Sequence, residues 1–164
     1  MLVSTSSFSQ SSSYQNLEFQ PDKKIVKEFI NWDYDFFKSH FGKPDTIIDG
    51  RLKTGKLAYT YWKISYYDLK VEVKYLGEPY CEFEETELQK ITIDGNSSIS
   101  FNGNDLSKMD TTLVFNSFGL SHLDPKAVDP FNFTYSYRKG RSTIYIEFHF
   151  RSATKLDRIE IYRM

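Results

Sequence analysis

Hydrophobic and polar positions change period along the chain, and each change marks a new element. From residue 22 the apolar positions Ile25, Phe29, Trp32 and Phe36 recur at intervals of three and four, and Val26, Ile30 and Phe37 widen the stripe. That spacing predicts a helix over about 22–41 with a broad buried face. Pro21 and Asp22 suit its first turn, Gly42 its end, and Pro44 blocks its resumption. From Leu57 the pattern becomes strand-like. Tyr59, Tyr61 and Ile64 lie on an aromatic run, and Leu69, Val71, Val73 and Tyr75 alternate with Lys70, Glu72 and Lys74. The alternation predicts one dry face and one wet, with a turn at Tyr66-Tyr67-Asp68 between the two strands. Leu88, Lys90, Ile91 and Ile93 predict a third strand closed by the turn Asp94-Gly95-Asn96, with Ile99 and Phe101 as a short return strand.

Helical spacing returns at Leu106, Met109, Leu113 and Phe118, predicting a second helix over about 105–118. Three strands follow at 131–138, 142–150 and 156–162, the first two joined by a hairpin turn at Lys139-Gly140-Arg141. This order predicts an α+β fold with a mostly antiparallel sheet of about six strands and two main helices on one face. It also hints at an internal α-β-β-β repeat. Phe37 to Gly42 matches Phe115 to Gly119 with one residue removed, and Tyr59-Thr60-Tyr61 matches Phe133-Thr134-Tyr135. Val71 to Tyr75 matches Ile146 to Phe150, and Leu88 to Ile93 matches Leu156 to Ile161. The offsets shrink from 77 to 68, as an insertion near 78–87 in the first copy requires. Duplication and chance matching of alternating patterns both account for these likenesses.

Residues 4–13, STSSFSQSSS, read as part of a disordered Ser-rich tail over 1–16, leaving 17–164 as one domain. Met1 to Gln15 hold no Lys or Arg and no apolar run, so they lack the parts of a secretory signal, and a reduced, cytoplasmic setting is the expectation. No run approaches a membrane span, so no membrane partner is expected. With 164 residues, 14 Phe and 12 Tyr, the chain has enough apolar surface for one sizeable core. Its 21 basic and 22 acidic groups exclude the dominant positive surface of a general nucleic-acid binder. The balance is uneven, however: residues 1–125 carry 13 basic and 18 acidic groups, and 126–164 carry 8 and 4.

Recognisable catalytic and cofactor motifs are missing. The single Cys81 excludes an internal disulfide and a cysteine zinc cluster, and it lies among glutamates rather than beside the cations that activate a thiolate. His40, His122 and His149 form no H-x-x-x-H pair, so no metal set is expected; His149 alternates with Glu147 and Arg151 on the wet face of a strand. Asp45 and Asp49 near Gly50 read as turn carboxylates rather than a cation loop. No phosphate-cradling or dinucleotide loop and no nucleophile elbow is present, so neither cofactor nor catalytic residue is assigned.

The most distinctive stretch is Glu78-Pro79-Tyr80-Cys81-Glu82-Phe83-Glu84-Glu85-Thr86-Glu87, five glutamates in ten residues interleaved with aromatics. It reads either as a solvated acidic loop or as a recognition surface for a basic partner, with charge speeding encounter and rings anchoring contact. A Tyr- and Phe-rich α+β domain without cofactors and with a clustered acidic segment resembles the cytoplasmic immunity proteins of bacterial toxin–immunity pairs, those of contact-dependent inhibition systems above all. The resemblance covers general character over 17–164. It implies a non-catalytic protein that binds one toxin domain, often a nuclease, and blocks its active site. Glu78, Glu82, Glu84, Glu85 and Glu87 would then supply electrostatic contacts, and Tyr80 and Phe83 the anchors. A second resemblance is local. Phe41-Gly42-Lys43-Pro44-Asp45 after a helix, followed by the Tyr61-Trp62 strand pair, is similar to the helix, G-x-P-D, strand pattern of small outer-membrane assembly lipoproteins and tandem-repeat inhibitor proteins. Two other functions stand beside inhibition. One is an enzyme using carboxylates or Tyr without a motif; the other is a single-stranded RNA binder with Lys63, Lys70 and Lys74 beside exposed rings.

Overall fold

The computed structural model describes residues 16–17, 29, 31–54, 56–118 and 131–164. The expected tail at 1–15, the first part of the expected first helix (22–28, and Ile30) and His122 lie outside the described residues. Strands are β1 (Asn16–Leu17), β2 (Thr46–Thr54), β3 (Leu57–Tyr66), β4 (Val71–Gly77), β5 (Glu87–Asp94), β6 (Ser100–Phe101), β7 (Asn104–Asp105), β8 (Asn132–Lys139), β9 (Ser142–Ser152) and β10 (Lys155–Arg163); helices are α1 (Tyr34–Phe41) and α2 (Thr111–Phe118). Seven strands form one antiparallel sheet in the order β2-β3-β4-β5-β10-β9-β8. A small second sheet, β1-β6-β7, pairs β1 with β6 in parallel. The fold is therefore α+β and mostly antiparallel, as the alternation predicts.

One face of the large sheet is dry. Val71, Val73, Ile91, Ile93, Ile159 and Ile161 are all buried there, near its centre. Both helices lie on this face. The Phe41 ring of α1 meets Tyr66 edge-on at 5.4 Å, and the Phe115 ring of α2 meets Phe133 edge-on at 4.6 Å. Such edge contacts let a ring's positive rim face another's negative face. The opposite face carries the polar partners of the alternation and no helix among the described residues.

The repeat is structural. Helices α1 and α2 have eight residues each and start 77 residues apart, at Tyr34 and Thr111. Each follows an aspartate that caps it. Asp33 accepts the Phe36 amide at 2.8 Å and Asp110 accepts the Leu113 amide at 2.7 Å. In the sheet, β5 and β10 pair with Ile91 opposite Ile161, Thr92 opposite Glu160 and Ile93 opposite Ile159. A shift of 68 residues turns the first of these pairs into the last, so an approximate two-fold axis passes between Thr92 and Glu160. The next strands obey it as well, since Val71 pairs with Ile93 and Ile146 with Ile161. Even a flaw in the period is duplicated. The spacing L-x-x-I-x-I at Leu88 and at Leu156 departs from strict alternation by one residue, and both ladders slip there. A β-bulge at Gln89 and another at Asp157 absorb the extra residue and return the isoleucines to the dry face.

Several expectations are corrected. The first helix is not continuous through 22–41: residues 31–33 are non-helical, because the Asp33 side chain takes the Phe36 amide and starts a new helix. Phe29, Trp32 and Phe37 are still all buried. The second helix begins at Thr111 rather than near 105; Leu106–Lys108 is a single 3-10 turn capped by Asp105, and Leu106 and Met109 are buried from it. Residues Ser100–Phe101 join the small sheet instead of returning to the large one, and Asn16, placed in the tail, is in β1. The large sheet has seven strands rather than six because β2 is added at its edge. That strand shows no two-residue burial pattern, being exposed along most of its length. Its Gly50 makes room for the Tyr61 ring, which lies 2.6 Å from where a Cβ would stand. Finally, β3 aligns with β8 through Ile64 and Phe133, not through Tyr59, because these two residues face the equivalent positions Val73 and Phe148.

The seam between the repeats carries polar ties beside the ladder. Lys90 pairs with Glu160 at 2.9 Å, Arg163 pairs with Glu87, and the Gln89 amide donates to the Arg163 carbonyl at 2.7 Å. Hydrogen bonding from Arg151, with Arg158 beside it, holds Asp157 below its ordinary value of 3.8. A carboxylate held low in the folded state stabilises it at neutral pH and loses that contribution as pH falls through the folded pKa.

Asp33→Ala and Asp110→Ala should each lower stability by about 1 kcal/mol, and the double variant by the sum, since the caps sit on separate helices. Urea melts of the three variants measure this. Asp157→Asn should be less stable than the parent at neutral pH, and the gap should narrow as pH falls from about 5 to about 2. A gap constant across that range would show that Asp157 contributes nothing through its charge.

Candidate functional site

The acidic segment is the connection between β4 and β5. In the second repeat the equivalent strands end at Ser152 and restart at Lys155, joined by Ala153 and Thr154 alone. In the first, residues 78–86 fill the same interval between Gly77 and Glu87. The inserted loop is pinned from inside by Phe83. Its half-buried ring makes edge contacts with Tyr34 at 5.4 Å, Trp62 at 5.2 Å and Tyr75 at 5.3 Å. Cys81 is half-buried and packs on Gly77, its Sγ filling the space that a Cβ there would need. Backbone ties complete the loop: Glu82 N–H donates to Glu85 Oε2 at 3.2 Å, and the Thr86 hydroxyl donates to the Phe83 carbonyl at 2.6 Å.

The seven residues expected at a partner surface separate into three groups. Glu78, Glu82, Glu84 and Glu85 expose their carboxylates. Glu87, also exposed, is engaged with Arg163 across the seam. Of the two aromatics, Tyr80 is 76% exposed with φ of 68°, its amide held by Thr60 Oγ1 at 2.9 Å and its ring under the Arg51 guanidinium at 4.4 Å. Phe83 instead faces the core.

Folding adds residues that the linear sequence does not place here. A groove of about 450 Å³ runs between α1 and the loop. Tyr34, Tyr75 and Phe83 form its aromatic lining, and Asp33, Asp35 and Glu84 bring carboxylates to it. The Tyr75 side chain is 2% exposed, and its hydroxyl has no hydrogen-bond partner among the described residues. Burial pushes this hydroxyl well above the ordinary tyrosine value, with Tyr66, Asp33 and Tyr34 acting in the same direction, so it stays a donor. Asp33 and Asp35 were hidden because they lie at the start of α1, as its cap and in its first turn, more than forty residues before the loop in sequence.

Other places are less suited to recognition of a single ligand. A cavity of about 460 Å³ lies at the far end of β4 and β5, but its Arg151, Asp157 and Arg158 are paired with one another. Of the lysines considered for RNA, Lys63 pairs with Glu72 at 3.2 Å and Lys74 lies 5.3 Å from the Tyr61 ring centre. Asp45 accepts the Tyr67 amide at 2.6 Å, tying it to a residue 22 positions on rather than to its own turn, and Asp49 lies within β2 rather than in a turn. His40 lies in the last turn of α1 with its Nδ1 2.8 Å from the Phe36 carbonyl. No helix among the described residues is long and apolar enough to cross a membrane. Comparison with protein-family models, curated proteins and solved structures gives no significant match.

Phe83→Ala should unpin the loop and cost about 2 kcal/mol of stability, less than a fully buried Phe because its ring is half-exposed. Thermal melts measure the loss, and proteolytic cutting within 78–86 should accelerate while the rest of the chain stays resistant.

Proposed function

We propose that the protein is a non-catalytic inhibitor of a basic partner protein, most simply the immunity protein of a bacterial toxin in the cytoplasm, and that it blocks the toxin's active site through the acidic loop. The observation that carries this reading is the groove in which three aromatic rings meet three carboxylates. An aromatic lining under an acidic rim fits the ammonium or guanidinium of a Lys or Arg side chain, which gains from both the ring faces and the charges. Phe83 and Tyr75 then shape the groove, Asp35 and Glu84 take the cation, and Glu78, Glu82 and Glu85 steer the approach. Tyr80, exposed beside them, adds contact area at the rim. A toxin that cleaves nucleic acid presents the basic surface that such a loop complements.

The test is affinity capture from the host at moderate salt, using the parent chain and a variant with Glu78, Glu82, Glu84, Glu85 and Glu87 all changed to Gln. The parent should retain one stoichiometric basic protein whose toxicity it relieves on co-expression. The variant should bind that protein at least about tenfold more weakly, chiefly through slower association, while remaining folded by circular dichroism. Unchanged binding by the variant would remove the acidic loop from the interface. Salt-released nucleic acid in place of a protein would overturn the inhibitor reading.

A further inference from the structure

The open face of the sheet holds a cluster that the acidic groove does not involve. Glu147 and His149 point outward from β9 two residues apart, and Glu160 on β10 is the cross-strand neighbour of Glu147. His149 Nδ1 lies 2.9 Å from Asn132 Oδ1 on β8. An amide oxygen only accepts, so the hydrogen is on Nδ1 and the neutral ring's lone pair is on Nε2. That Nε2 is shielded from solvent and makes no hydrogen bond among the described residues. It lies 3.3 Å from Glu147 Oε2 and 3.7 Å from Glu160 Oε2. Three electron-rich atoms thus converge, and a positive charge placed among them is favoured.

A second proton on the ring is one answer, but the geometry is poor for it. At 3.3 Å the Glu147 oxygen is close enough for a hydrogen bond, yet the Nε2 hydrogen direction does not aim at it, so no such bond forms. The spacing suits a shared ion instead. Ligands at about 2.0–2.1 Å from a tetrahedral ion stand about 3.3–3.5 Å from one another. Each ligand group is also held by its other atom, as metal ligands usually are. Asn132 holds Nδ1, the Tyr162 hydroxyl donates to Glu147 Oε1 at 2.6 Å, and Arg158 Nε donates to Glu160 Oε1 at 3.0 Å. We propose that Glu147 Oε2, His149 Nε2 and Glu160 Oε2 form a site for a divalent transition-metal ion of the zinc type, with water in the fourth position. One imidazole nitrogen and two carboxylate oxygens select such an ion over magnesium or calcium, which prefer oxygen alone. Lys90, 2.9 Å from Glu160 Oε2, is the competing cation and weakens the site.

The experiment is calorimetric titration of the chelator-treated full chain with Zn²⁺, with Co²⁺ used in parallel to follow the His149 ring signals by NMR. One ion should bind per chain, and Co²⁺ should broaden or shift the His149 signals before those of the other histidines. Glu147→Gln and His149→Gln should each weaken binding at least about tenfold, and Lys90→Gln should strengthen it by about as much. The cobalt measurement needs no variant, so a variant that fails to fold does not obscure the result. Unperturbed His149 signals with Co²⁺, or a ring carrying hydrogens on both nitrogens at neutral pH with no Zn²⁺ uptake, would overturn the site and leave an imidazolium between two carboxylates.

Discussion

The pairing of β5 with β10 is the contact on which the rest of the molecule depends. Each repeat alone is a short antiparallel meander under one eight-residue helix, with a dry face it cannot cover. Joining the two at their last strands makes one sheet whose central isoleucines, Ile91, Ile93, Ile159 and Ile161, are wholly buried. The isoleucines that pair across it lie 66 and 70 positions apart in the chain, so the closing contact is non-local and its formation costs loop-closure entropy. The polar ties of Lys90, Gln89 and Arg163 run along the same seam and fix its register rather than its strength.

Features with a strong period or a doubled signature were legible in the sequence. The alternation at Val71 to Tyr75 and the repeated L-x-x-I-x-I placed β4, β5, β9 and β10, and the shrinking offset between the matching segments located an insertion where the acidic loop lies. Elements whose residues lack such a period were not. Strand β2 is exposed on both faces at the sheet's edge, so no burial alternation marks Ile47, Ile48 or Leu52. The break at Asp33 leaves the apolar stripe intact on either side, so spacing alone reads through it. In β3 and β8 the like-looking motifs Tyr-Thr-Tyr and Phe-Thr-Tyr sit at different depths, and only the ladders assign Ile64 to Phe133.

The sites divide along the same line. The glutamates of the loop announce themselves by local density, whereas Asp33 and Asp35 reach the groove only through the packing of α1 beside Phe83. Phe83 also shows how composition misleads about direction. An aromatic between acidic residues reads as an exposed anchor, but three surrounding rings turn it inward. Glu147 and His149 share a face by simple alternation, yet Glu160 joins them only when the β9–β10 hairpin closes.

The two-residue link between β9 and β10 shows that the frame can close without residues 78–86. Extending that connection from two residues to nine costs only about 1.3 kcal/mol of loop-closure entropy, which the Phe83 contacts can offset. The duplicated architecture thus keeps one copy as scaffold and frees the other to change. Within such a plan the loop can be lengthened, recharged or exchanged while the seam is untouched, so what the frame recognises can change while its fold is kept.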